Sequence, residues 1–154
     1  MHRGLLVLGC LVALAADLSA SAQEKRISKS ELPEAVQKRV EEQSRNATVR
    51  GFSKEIEGGK TYYEVELSVS GHSKDVLMDP SGVVVEVEEE VALSSLPLTV
   101  SEGLQKKAGS GKIVKVESLT KHGILVAYEA QVRTGNTHSE VQVGPKGETL
   151  AHAE

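Results

Sequence analysis

The apolar residues of this chain change period as they are followed along it. Between residues 62 and 69 the alternation is strict: Tyr63, Val65, Leu67 and Val69 fall on one side, and Tyr62, Glu64, Glu66 and Ser68 on the other. Such a period of two belongs to a strand buried on one face. Tyr128, Ala130 and Val132 oppose Glu129, Gln131 and Arg133 in the same way, and residues 83–91 set Val83, Val85 and Val87 against Glu86, Glu88 and Glu90. Elsewhere the spacing is helical. Leu32, Val36 and Val40 stand at i, i+4 and i+8, as do Leu96, Val100 and Leu104, so each set makes one apolar stripe. Ser30 and Ser94 are candidate caps, and Pro33 and Pro97 fall in the first turn, where a missing N–H costs nothing. Gly58-Gly59, His122-Gly123, Asp79-Pro80-Ser81-Gly82 and Gly144-Pro145-Lys146-Gly147 mark turns between strands.

These signals recur in order. Leu32-Pro33, Val36 and Val40 return 64 positions later as Leu96-Pro97, Val100 and Leu104. Val49, Gly58, Tyr63-Glu64, Val76 and Pro80-x-Gly82 return 65 positions later as Val114, Gly123, Tyr128-Glu129, Val141 and Pro145-x-Gly147. Such recurrence reads as duplication. The expected fold is therefore α+β, built of tandem helix-plus-antiparallel-sheet repeats. The first, residues 30–91, is ordered α-β-β-β-β, and the second, residues 94–150, α-β-β-β. Units this small are close to the lower limit of independent stability, so they are expected to pack together, in one arrangement as a continuous sheet with the helices on one face.

The beginning of the chain has a different character. Arg3, an apolar run from Leu5 to Ala16 and the small-residue pattern Ala20-Ser21-Ala22 form an export signal, cut after Ala22. The run is shorter than the roughly 20 residues that a membrane-spanning helix needs, so no span is expected once the signal is removed. Val7-Leu8-Gly9-Cys10 loosely resembles a lipoprotein signal, but the apolar run continues past Cys10, which favours a plain signal core. Removing residues 1–22 from 154 leaves 132 without any cysteine, so disulfides cannot stabilise the exported chain. The expected location is the periplasm or the medium.

Charge and chemistry exclude more than they specify. With 22 acidic residues against 18 basic and a net charge of −4, the chain lacks the basic footprint of a nucleic-acid binder. The histidines of the exported part, His72, His122, His138 and His152, have neither the spacing nor the partners of a zinc site. Gly109-Ser110-Gly111-Lys112 lacks the first glycine and final Ser/Thr of a phosphate loop and follows a helical stripe, so it reads as a helix-to-strand connection. No serine lies in a Gly-x-Ser-x-Gly setting. Neither catalytic residues, a cofactor nor a metal site is expected. The unusual feature is acidic: period two gathers Glu64, Glu66, Glu86, Glu88 and Glu90, with Tyr62, on the sheet face away from the helices. One reading is a solvated face that keeps the protein soluble and discourages edge pairing. The other is a docking surface for a basic partner, anchored by Tyr62.

Leu32-Pro33-x-x-Val36, then Lys54-Glu55, Tyr63-Glu64-Val65 and Asp79-x-x-Gly82, resembles the PepSY-like family, relatives of the beta-lactamase-inhibitor fold. The resemblance extends over residues 30–150, with Gly144 standing where the second segment would carry the turn Asp. It implies an exported bacterial module with a helix on an antiparallel sheet, of a kind found in protease propeptides and in binders that engage an enzyme across a sheet. It brings no catalytic residues. The function expected is a non-enzymatic module that recognises or inhibits an extracytoplasmic protein such as a peptidase or other hydrolase. The alternative is an envelope structural or interaction protein whose acidic face binds cations or basic partners.

Overall fold

Short turns set the topology, because strands joined by a few residues must pair with their immediate neighbours. In the computed structural model, which describes residues 23–154, the strands are β1 (Gln23–Ile27), β2 (Thr48–Glu57), β3 (Lys60–Val69), β4 (His72–Met78), β5 (Val84–Glu90), β6 (Lys112–Lys121), β7 (Ile124–Thr134) and β8 (Thr137–Val143). All eight form one antiparallel sheet in chain order. The export signal read over residues 1–22, with Cys10, lies outside the described residues.

Two helices complete the described residues, α1 (Glu34–Gln43) and α2 (Leu98–Ala108). Each starts one residue after its proline. Ser30 and Ser94 therefore do not cap them but lie in short 3-10 turns, Lys29–Glu31 and Leu93–Ser95. At the first of these Glu31 closes a capping box on Ser28, its carboxylate accepting from the Ser28 N–H at 2.8 Å.

The expected α+β fold of repeated helix-and-sheet units is thus corrected. The described residues are mostly β, a single eight-stranded sheet with two helices. The physical reason lies at the join between β5 and β6. Glu86 to Glu90 pair with Lys121 to Glu117, and Val91 N–H and His122 N–H extend the contact to the carbonyls of Val116 and Val85. Backbone groups that would have formed the edges of two units satisfy one another. The recurring Leu-Pro and Pro-x-Gly signals mark two places where a helix touches this sheet.

Leu32, Val36 and Val40 pack on Val65, Leu67, Val76 and Met78, while Val100 and Leu104 pack on Val116, Ala130, Val132 and Val143. Register carries one face across the sheet, from Phe52 through Val65, Val76 and Val87, and from Ser118 to Tyr128 and Val143, so both helices cover the same side. Each buried aliphatic side chain contributes about 1.5–3 kcal/mol. Among the described residues, the opposite side of the sheet carries no helix.

Candidate docking face

On that open side the register sorts the polar residues into rows. Ser53 of β2 lies opposite Glu64 of β3, Glu64 opposite Leu77 of β4, Leu77 opposite Glu86 of β5, and Glu86 opposite Lys121 of β6. The next row runs Gly51, Glu66, Asp75, Glu88, Leu119 and Ala127. A third joins Glu90, Glu117, Glu129 and Gln142. Glu64, Glu66, Glu86, Glu88 and Glu90 therefore share the open face. Tyr62 is there too, opposite Glu55, but stands nearer the hairpin tips than the other five. The docking residues read from the sequence left out Glu55, Asp75, Glu117 and Glu129. Period-two alternation through Ser73, Asp75 and Leu77, and through Lys115 and Glu117, is the signal that finds them.

Carboxylates so close cannot all be charged. Burial, reinforced by Asp75 and Glu55, pushes the Glu64 carboxyl up to about 9. Burial, with Glu117, Glu129, Glu86 and Asp75 nearby, pushes Glu88 up to about 8. Asp75 rises to about 6, again chiefly by burial, with Glu117 and Glu66 adding and Lys115 and Arg26 opposing. Glu55 and Glu86 are raised for the same first reason. Glu55 and Glu64 act on each other as well as on their neighbours, and burial is the first cause of the rise at both. Carboxylate oxygens of Asp75, Glu88 and Glu117 lie within 4.8 Å of one another.

Cations compensate only the borders of this array. Arg26 reaches over β2 to Glu66 with contacts of 2.9 and 3.0 Å, and its guanidinium occupies the space above Gly51, where any side chain would collide with it. Lys115 lies 2.6 Å from Glu117, which also accepts from Ser73 Oγ at 3.2 Å. Lys121 is 3.9 Å from Glu86. Glu90 is held low chiefly by the Ser73 N–H, at 3.0 Å, with His72 3.2 Å away. Among the described residues no Lys, Arg or His comes within 4.0 Å of Glu64, Asp75 or Glu88.

At the hairpin-tip end the face deepens into an open groove of about 600 Å³, lined by Tyr62, Leu77, Val85, Glu86, Lys121 and His122 among others. His122 is thus a groove residue in a turn, His72 begins β4, His138 lies in β8 and His152 follows it; they do not converge. Residues 109–111 connect α2 to β6, which Lys112 begins, with Gly109 at a φ of 59° ending the helix. No described helix is long and apolar enough to cross a membrane.

No family model and no curated protein matches the chain. Solved structures do. A protein of Bacteroides eggerthii named as periplasmic is 20% identical, with a TM-score of 0.62 over 77% of this chain and 86% of that one. A DUF2874 family protein of Bacteroides ovatus is 20% identical, with a TM-score of 0.60 over 77% and 84%. A BLIP-like protein of Bacteroides fragilis is 20% identical, with a TM-score of 0.57 over 77% and 83%. Helices on one side of a single antiparallel sheet are thus a fold this chain shares with BLIP-like and DUF2874 family proteins.

Proposed function

We propose that the chain is an exported, non-enzymatic binding module that recognises another extracytoplasmic protein through the open face of its sheet. The observation that carries this reading is the group Glu64, Asp75 and Glu88, half-buried among other carboxylates with no cation of the described residues within 4.0 Å. A partner's Lys or Arg supplies the missing charge, and Tyr62 at the groove offers an aromatic anchor. Glu66, Glu86 and Glu90 widen the surface. The likeness to a BLIP-like protein and to proteins named as periplasmic supports the class and the compartment, as does the PepSY-like resemblance of Leu32-Pro33 and Tyr63-Glu64-Val65. A peptidase or other hydrolase is the partner we favour. The test is to add the exported chain to the source organism's extracytoplasmic fraction. A saturable, stoichiometric loss of one hydrolase activity, absent with Glu64→Lys/Glu88→Lys, is expected; full activity at excess chain rules out inhibition.

A second reading, an envelope protein whose acidic face takes metal cations, is favoured by the proximity of Asp75, Glu88 and Glu117. Those residues offer one oxygen each at that spacing, whereas calcium takes about six to eight. Calcium titration by calorimetry distinguishes the two: heat from calcium alone supports the second reading, and its absence rejects it.

A further inference from the structure

Leu119 and Ala127 are cross-strand partners on the open face, yet they are only 2% and 0% exposed. Both helices pack on the other side, and neither residue belongs to the clusters beneath them. The end of the described chain reaches side chains that flank this pair. Gln142 of β8 stands opposite Glu129, two residues from Ala127, and Lys121 of β6 stands two residues from Leu119. Glu154 touches both: its N–H donates to Gln142 Oε1 at 2.8 Å, and its carboxylate lies 3.7 Å from Lys121 Nζ. A residue that meets side chains of β8 and β6 at once lies over β7 between them. The route begins at the turn after β8, closed by the Gly144 N–H donating to the Glu148 carbonyl at 2.8 Å. No ninth strand follows among the described residues.

We propose that residues 149–154 form an internal strap, which occupies the open face over β6–β8 and is displaced when a partner engages the whole face. The proposal rests on the docking reading above and adds its regulation. The strap and the acidic rows share one cation, since Lys121 lies near both Glu154 and Glu86. Gln142 in turn donates to Glu129 at 2.7 Å, tying the strap's other anchor to the third row. One hydrogen bond and one half-exposed ion pair hold weakly, so the strap closes the face without locking it. A partner's apparent affinity is then reduced by the fraction of molecules with the strap open.

The test compares residues 23–154 with their Glu154→Gln variant, which removes the ion pair to Lys121 at a position outside the three rows of the docking face, and uses decalysine at low salt as the probe. Backbone heteronuclear NOEs should show residues 149–154 ordered in the wild type and mobile in the variant. Decalysine should mobilise them in the wild type and bind the variant tighter by roughly fivefold, the size of one weak contact. Loss of the Glu154 charge alone would weaken binding of a polycation, so a gain reports release of the strap. Equal mobility of the segment in the two proteins, or equal or weaker binding by the variant, overturns the strap. Decalysine that binds neither protein overturns the docking reading and, with it, the strap's competitive role.

Discussion

Ser53 is fully buried between Arg26 and Glu64 in the register of the open face, and its hydroxyl has no hydrogen-bond partner among the described residues. A buried unpaired hydroxyl destabilises a fold by about 1–3 kcal/mol, so Ser53→Ala is expected to raise the urea midpoint, and a lowered midpoint would mean that the hydroxyl is satisfied. Glu64 and Glu88 give a pH dependence whose sign follows from their raised values. The folded state holds protons that the unfolded chain, titrating near 4.5, has already released, so stability is full below that value and is lost as pH rises toward about 8 and 9. The groups facing Glu64 are Glu24, Glu55 and Asp75; those facing Glu88 are Asp75, Glu86, Glu117 and Glu129, with Lys115 paired to Glu117. A thermal midpoint higher at pH 5.5 than at pH 9 is expected, with the difference reduced in Glu64→Gln/Glu88→Gln. Glu31, Asp79 and Glu90, all held low, act in the opposite sense only below the ordinary carboxylate range.

Elements were readable from sequence where a single period persists and misread where backbone geometry interrupts it. Val36/Val40 and Val100/Leu104 face the core, because nothing disturbs a helix of ten or eleven residues, and Leu32 joins the first pair from the extended residue just before Pro33. In β5 the expected inward set Val83, Val85 and Val87 is broken by an irregularity beside Met78. Val84 and Val87 meet the core, Val85 lines the open groove and Val83 is exposed. A bulge inserts one residue and flips all those before it to the other face, which alternation cannot foresee. The acidic set starts at Glu86, past the irregularity, so its common face was visible in the sequence. Alternation within β4 and β6 can also place Asp75 and Glu117 on that face, but which carboxylates stand beside one another comes from register, which a single strand does not encode. Strand β1 was missed because its five residues carry one apolar side chain, Ile27. Turn glycines differ in a way the sequence also hides. At Gly82, φ is +79° and a Cβ would lie 2.6 Å from the Ala35 carbonyl oxygen at the start of α1, and Gly147 meets Thr99 in the same manner. Gly58, at +55°, has nothing within 4 Å. Gly82→Ala is expected to lower stability by about 1–3 kcal/mol or more through strain and collision together, and Gly58→Ala by on the order of 1 kcal/mol through conformation alone. Equal losses in urea unfolding would refute the contact.

Across the whole molecule the sheet runs unbroken from β1 to β8, so the two apolar clusters beneath it are coupled through β5 and β6. Unfolding should be one transition. Met78→Ala and Leu104→Ala, each costing about 2–5 kcal/mol, should lower the same midpoint although they lie in different clusters, whereas two separable transitions would show that the halves fold independently. The continuous sheet is also what brings the carboxylates of β2–β7 together on one open face, and no single strand could do so. That face is tested most directly by affinity capture from the source organism's extracytoplasmic fraction, with residues 23–154 and their Glu64→Lys/Glu88→Lys variant used side by side. A specific protein retained by the wild type at low salt, released as salt rises and not retained by the variant, is the expected result. Equal retention by both chains would contradict the docking face.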